Sequence, residues 1–336
     1  MSNVTVFTAK KVLTMDPSVP EATHIAVREG RILAVGDASC GDQWGTVTRD
    51  ERLADSVLMP GLVEGHAHLM AGAMWRYAYA GYHDRTDPQG KLWKGLTTLD
   101  EVIAGMKDYA ATLAPGEPLV GWGFDPIFLQ DERLSRRHLD AIDADRPIAI
   151  MFSNFHLMCV NSASLAAAGY DAGTNAEGVV KGPDGVPTGE LQEMAAMFPV
   201  MRRLGIDFRG LSQTEDAIRT YGDVAKRVGV TTITDLFSSA EDADVDVMTE
   251  VTNDPAFPLR LVPALGTVAE PEAMAQKALS FAARSTDKLR LGAVKLMTDG
   301  SIQGWTARTR WPGYVGGQAN GIWNTAPEMI HKIALT

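Results

Sequence analysis

Two histidines, His66 and His68, close the short apolar run Met59-Pro60-Gly61-Leu62-Val63-Glu64-Gly65-His66-Ala67-His68. On an extended strand, side chains at i and i+2 share a face. Both imidazoles then project together, which is what a metal ion needs from two neutral nitrogen ligands. The spacing alone leaves a buried, hydrogen-bonded histidine pair open as the alternative. Lys295 is the second chemical signal, set in Ala293-Val294-Lys295-Leu296-Met297 and followed by Thr298-Asp299-Gly300-Ser301. Burying an ammonium is expensive, so an apolar strand favours the neutral amine. A neutral amine can take up CO₂ as a carbamate, an anionic oxygen ligand able to bridge two metal ions. The alternative is an ordinary lysine paired with Asp299 or Asp235. Asp235 itself ends the run Val230-Thr231-Thr232-Ile233-Thr234-Asp235, the end of a strand at which barrel enzymes carry catalytic groups.

These residues need strands to hold them. Strand patterns at 58–68, 230–235, 259–265 and 291–297 are interleaved, after the first, with helical patterns at roughly 212–228, 240–252 and 271–284. Strand, helix, strand at this spacing predicts βα units and a parallel sheet. Residues 1–57 read instead as short strands with tight turns, including Arg28-Glu29-Gly30-Arg31, and predict part of a composite β-sandwich. Residues 72–210 form a Gly- and Pro-rich insertion with helices at 98–113, 161–168 and 189–203 and a strand at 147–152, and a separate helix pattern at 326–335 closes the chain. Setting the sandwich and insertion aside leaves about 130 residues, or four βα units at about 30 each. A closed (β/α)₈ barrel needs eight. The expected fold is therefore α/β: a partial TIM-type (β/α)₈ barrel, its first four βα units spanning 58–71 and 211–336, with an N-terminal β-sandwich segment and a large insertion after the first barrel strand. An open edge at the fourth strand, and uncovered lumen side chains around Leu62, Ile233, Leu261 and Val294, predict self-association.

Composition narrows the function. A net charge of -11 opposes nonspecific binding to nucleic acid or an anionic membrane. Cys40 and Cys159 make neither a disulfide framework nor a CxxC metal site. No leader-like segment opens the chain, and no window approaches the roughly 20 apolar residues of a membrane span. A soluble, cytoplasmic protein with a small-molecule substrate is expected.

Five ordered motifs bring these signals together: the run ending in His66 and His68; Gly121-Trp122-Gly123-Phe124-Asp125; Val160-Asn161-Ser162; Gly185-Val186-Pro187-Thr188-Gly189-Glu190-Leu191-Gln192-Glu193; and Val294-Lys295-Leu296-Met297-Thr298-Asp299-Gly300-Ser301. In these the chain resembles the amidohydrolase superfamily, specifically the family 3 branch that includes N-substituted formamide deformylase-like enzymes. The resemblance implies a metal-dependent hydrolase of amide or other non-peptide C–N bonds, working through metal-activated hydroxide. His66 and His68 match its first-strand ligands, and Lys295 matches its carboxylated lysine, carrying a CO₂-derived carbamate. One or two divalent ions are implied, zinc first from the imidazole ligands. Phe124, Asp125, His156, Glu193 and Asp299 fall where substrate contacts are expected, and His156 matches a histidine placed near the substrate pocket. Cys159 departs from the pattern, standing where an aromatic residue is usual. The family's further histidine ligands, on the fifth and sixth strands, and its general base, an aspartate on the eighth, have no counterpart up to Thr336; His331 reads as a solvated helix residue. The competing expectation is a truncated, non-catalytic fragment, or a half-barrel that closes only by oligomerisation or with a missing C-terminal segment. Without those further ligands, the isolated 336-residue chain is expected to bind metal weakly and show little or no amidase activity.

Overall fold

Glu29 and Gly30 both take positive φ, 51° and 73°, the pairing a tight two-residue hairpin turn demands. That turn joins Glu21–Arg28 to Arg31–Gly36 as antiparallel neighbours. The computed structural model describes residues 3–130, 132–238, 241–266 and 270–336, and it divides into two units, Met1–Val63 and Glu64–Thr336. In the first unit, Val4–Leu13 is the central strand of a single five-stranded sheet. It runs antiparallel to Glu21–Arg28 and parallel to Val47–Asp50 and Val57–Leu58. Val4, Val6 and Ala26 form its small buried centre.

The strand expected over 58–68 is divided. Val57–Leu58 pairs within the first sheet, and pairing resumes only at Leu62–Ala67. Pro60 explains the break, because it has no N–H to give a ladder. Leu62–Ala67 then lies beside Val230–Ser238, which is followed in the sheet by Arg260–Gly266 and Ala293–Lys295. The last three are parallel, in chain order. Helices Glu215–Arg227, Asp242–Asn253 and Pro271–Ala282 cover one face, where Ile218, Val245, Met248, Met274 and Phe281 join Ile233 and Leu261 in one core. Ile233 and Leu261 therefore pack under helices and are buried, contrary to their expected lumen position, whereas Leu62 and Val294 are close to half exposed. Four strands in an open sheet, and no closed barrel, are present among the described residues. The fold is mixed α/β.

The insertion departs most from expectation. It holds a six-stranded mixed sheet in the order Val179–Lys181, Pro187–Gln192, Leu157–Val160, Ile148–Phe152, Leu119–Phe124 and Ala78–Tyr79. Every residue of Leu157–Val160, Ile148–Phe152 and Leu119–Phe124 is buried, as strands covered on both faces require. Side chains alternate accordingly. Val120, Trp122, Ala149 and Met151 meet Met197 and Val200 of helix Glu193–Arg203, while Leu119, Phe124, Ile148, Ile150 and Phe152 meet Val102 and Met106 of helix Leu99–Ala110. The helix expected over 189–203 begins only at Glu193, after the strand Pro187–Gln192 has ended. Among the described residues, no helix is long and apolar enough to cross a membrane.

Candidate metal and substrate site

His66 and His68 lie at the end of strand Leu62–Ala67, and Ala67 between them turns into the helix-covered core. The two imidazoles therefore share the other side. Both line a cavity of about 430 Å³ together with Lys295, from the last strand of the same sheet, and Asp235, from the second. The imidazole centroids are 5.4 Å apart with planes at 80°. Two imidazoles on one tetrahedral zinc, at a Zn–N distance of about 2.0–2.1 Å, have centroids about 5 Å apart. The observed pair fits that geometry. Asp235 Oδ1 stands 3.5 Å from His68 Nδ1, too long for a good hydrogen bond but placed to orient the ring, as carboxylates behind metal-binding histidines do. Burial, followed by the nearby His68 and Lys295, holds His66 below the usual histidine range, with Glu64 opposing. Neutral imidazole is the form that binds metal.

Among the described residues, no group of three or more His, Cys, Asp or Glu side chains is placed to hold a metal ion. The imidazoles are two nitrogen donors, and Asp235 and Lys295 are the other side chains of this sheet with polar ends on the same cavity. The strand of Lys295 is shorter than expected, only Ala293–Lys295, and Lys295 is half-buried. The reason is positional: this strand is last in the sheet and pairs on one side only, with Arg260–Gly266.

The insertion supplies the remaining wall. Strand Ile148–Phe152 ends in the turn Ser153-Asn154-Phe155-His156 and returns as Leu157–Val160. Phe155 takes φ 59° and comes within 6.4 Å, centroid to centroid, of His68. His156 Nδ1 lies 2.9 Å from Glu193 Oε2. Glu193 opens its helix at φ 63° and is nearly fully buried. Burial pushes the Glu193 carboxyl up, but the hydrogen bond and charge of His156, with Thr306 and Asn324 as further donors, outweigh it and hold the group below its ordinary 4.5.

That depression sets a pH dependence. An unfolded chain takes up the Glu193 proton before the folded one does. The stability Glu193 contributes is thus complete above the ordinary carboxylate value and lost as pH falls through the depressed one. Glu193→Gln should cost about 1.5–3 kcal/mol at neutral pH and flatten the acid limb of stability. Urea melts between pH 7 and pH 3 check this, and parallel limbs in the two proteins would refute it.

The expected substrate contacts separate into two groups. His156, Glu193 and Asp299 line the cavity. Phe124 does not: it is fully buried against Phe152, ring centroids 4.9 Å apart. Asp125 also stays outside. Its carboxylate accepts Ser153 Oγ at 2.8 Å, caps the turn at Ile127 N, and takes the Gln303 side-chain amide, so it ties the segment after Lys295 to the insertion. Asp299 accepts Thr298 Oγ1 at 2.6 Å and the Arg308 backbone N–H at 2.7 Å. The motif residue Asn161 serves the fold, capping helix Ser162–Ala168 and bonding Ile148 N and Arg146 O. His331 is exposed on the closing helix Pro327–Leu335.

Sequence reasoning missed the apolar part of the wall. Met70, Met151, Met194, Met201 and Met297 line it, five of the 15 methionines in the chain. Methionine is flexible and polarizable and accommodates varied apolar groups. The only linear trace of this wall is the high methionine count. Asn324, which donates to Glu193 Oε2 at 3.0 Å, was equally invisible, because it lies 131 residues away from its partner.

Protein LONG AFTER FAR-RED 3 of Arabidopsis thaliana is 28% identical over 231 residues, 67% of this chain and 37% of that protein. The putative amidohydrolase YtcJ of Bacillus subtilis is 29% identical over 190 residues, 55% of this chain and 34% of that one. The alignments thus span about a third of these curated relatives. Among solved structures, an uncharacterized metal-dependent hydrolase from Pyrococcus horikoshii superposes with a TM-score of 0.61 at 16% identity, covering 99% of this chain and 62% of that chain. One from Pyrococcus furiosus gives 0.57 at 16% identity, covering 99% and 64%. These two share the fold. The sequence profile of the amidohydrolase family matches residues 53–320, most of the length, and the chain belongs to that family.

Proposed function

We propose that this chain carries the first ligands of a metal-dependent hydrolase acting on amides or other non-peptide C–N bonds, with His66, His68 and carboxylated Lys295 as the metal-holding residues and zinc as the metal. One observation carries the reading: Lys295 lines one cavity with His66 and His68, more than two hundred positions away in sequence, and the two imidazoles have the separation of ligands on a common ion. A divalent ion bound there supplies Lewis-acid polarisation of a carbonyl and acidifies water. The chain's own residues do the rest. His66 stays neutral, Asp235 orients His68, the methionine wall seats an apolar substituent away from water, and His156 meets the polar end of the substrate. N-substituted formamides, the substrates suggested by the motif pattern, suit a cavity of this size.

Lys295 gives the decisive test. The purified chain, loaded with zinc under ¹³C-bicarbonate, should show one carbamate carbon resonance that is absent in Lys295→Ala, with a matching loss of bound zinc by elemental analysis. A Lys295→Ala protein that keeps both the resonance and the metal would overturn the assignment. A panel of N-substituted formamides and acetamides then tests turnover.

A further inference from the structure

His156 and Glu193 each lie one residue outside a neighbouring antiparallel strand, beside the paired positions Leu157 and Gln192. The backbone locks them together, Glu193 N donating to His156 O at 2.8 Å. Both are delivered through strained backbone, at Phe155 and at Glu193 itself, φ 59° and 63°. Left-handed non-glycine residues cost free energy and cluster where a surrounding structure needs a side chain in one place. The carboxylate is held from a second side as well. Asn324 Nδ2 donates to Glu193 Oε2 at 3.0 Å and to Asp299 O at 2.8 Å, and Asn324 N donates to Thr298 O at 2.9 Å. The dyad is thereby tied to the segment that follows Lys295.

This arrangement decides the histidine tautomer. An ionised carboxylate only accepts hydrogen bonds, so Nδ1 of His156 carries the hydrogen. In the neutral ring the lone pair is then on Nε2, which has no protein partner among the described residues while the ring lines the cavity with His66, His68 and Lys295. An acceptor presented in a partly apolar cavity calls for a donor on the ligand, because an unmade hydrogen bond there is costly. We infer that Glu193 is the positioning residue that presents His156 Nε2 as an acceptor, and that the cavity therefore selects primary or secondary amides, whose N–H can donate, over fully substituted amides and esters, which have none. This rests on the cavity being the substrate site, but not on a metal being bound.

The test uses the 336-residue chain, ¹⁵N-labelled at histidine, and two probes matched to the methionine wall: N-benzylacetamide and N-benzyl-N-methylacetamide. Nitrogen chemical shifts at pH 8 should show His156 neutral and protonated at Nδ1, with Nε2 shifting on addition of the secondary amide only. The secondary amide should bind about tenfold more tightly than the tertiary one. Glu193→Gln should weaken that tautomer preference and narrow the ratio. His156→Ala, at a partly exposed position, should bring the two probes within about twofold. An Nε2-protonated or cationic ring at pH 8, or a preference that survives His156→Ala, would overturn the inference. Zinc titration of His156→Ala separates the two readings: retained zinc with lost discrimination supports both, and retained zinc with intact discrimination sinks only this one. Should zinc fail to bind the wild-type chain, the metal reading falls and the amide measurements still decide the dyad.

Discussion

Replacing His66 and His68 together by asparagine should lower zinc affinity by about a thousandfold or more, roughly 4 kcal/mol. The size follows from the donor inventory. Among the described residues, no group of three or more His, Cys, Asp or Glu is placed to hold the ion, so removing both imidazoles leaves the cavity wall of this sheet without a nitrogen ligand pair. The pair is also prepared for metal. Burial, with His68 and Lys295 nearby, holds His66 below the usual histidine range, which reduces proton competition with the metal. Single substitutions should fall between wild type and the double variant, because each leaves one nitrogen on the cavity wall. Calorimetric titration with zinc, run in competition with a chelator of known affinity, measures this. Unchanged affinity in the double variant would move the metal away from this strand. Loss of affinity in Asp235→Ala by about 10–100-fold, with both histidines intact, would show the carboxylate acting through His68 rather than as a ligand of comparable weight.

Phe152→Ala should destabilise the fold by about 3–5 kcal/mol. Phe152 is fully buried, packs edge-on to Phe124 and closes the face of the insertion sheet beneath helix Leu99–Ala110. Neither neighbouring strand can collapse into the space, because Leu119–Phe124 and Leu157–Val160 are pinned by ladder bonds and buried on both faces. The consequence reaches the site. Phe152 O accepts the Phe155 N–H at 3.1 Å and so closes the turn that delivers His156. The variant should lose discrimination between secondary and tertiary amides at urea concentrations well below its unfolding midpoint. Ile127→Ala is the matched control: Ile127 is more than half exposed, and its loss should change stability by no more than about 0.5 kcal/mol. Equal midpoints for Phe152→Ala and Ile127→Ala in urea would show that the insertion sheet is not packed as described.

Much of the second unit was legible because its signals are local. The period-2 spacing of His66 and His68 puts both rings on one side of a strand wherever that strand goes. Alternating strand and helix patterns between 212 and 297 map closely onto Val230–Ser238, Asp242–Asn253, Arg260–Gly266 and Pro271–Ala282. The insertion was far less readable. Leu119–Phe124 contains Gly121 and Gly123 and was not read as a strand, yet Gly121 sits within it, where a Cβ would stand 2.6 Å from Ile150 Cδ1. Pro187–Gln192 runs straight into helix Glu193–Arg203 with no breaker between them. The switch is made by the positive φ of Glu193, a conformation ordinary for glycine and strained for glutamate.

Which candidate residues meet in the cavity was a tertiary decision. Phe124 and Asp125 belong to one motif with Trp122, but a strand buried on both faces sends Phe124 into a core, and Asp125 spends its carboxylate on Ser153, Ile127 and Gln303. Ile233 and Leu261 look equivalent to Leu62 and Val294 in an apolar strand pattern, and only the placement of the helices makes the first two buried and the last two exposed. Asn324 acquires its role solely from a contact with Glu193 across 131 residues. Linear spacing determines which side chains share a strand face, because that depends on backbone periodicity alone. Which faces then surround one cavity depends on sheet order, register and the loops that cross between sheets, and those are set by packing between segments far apart in the chain.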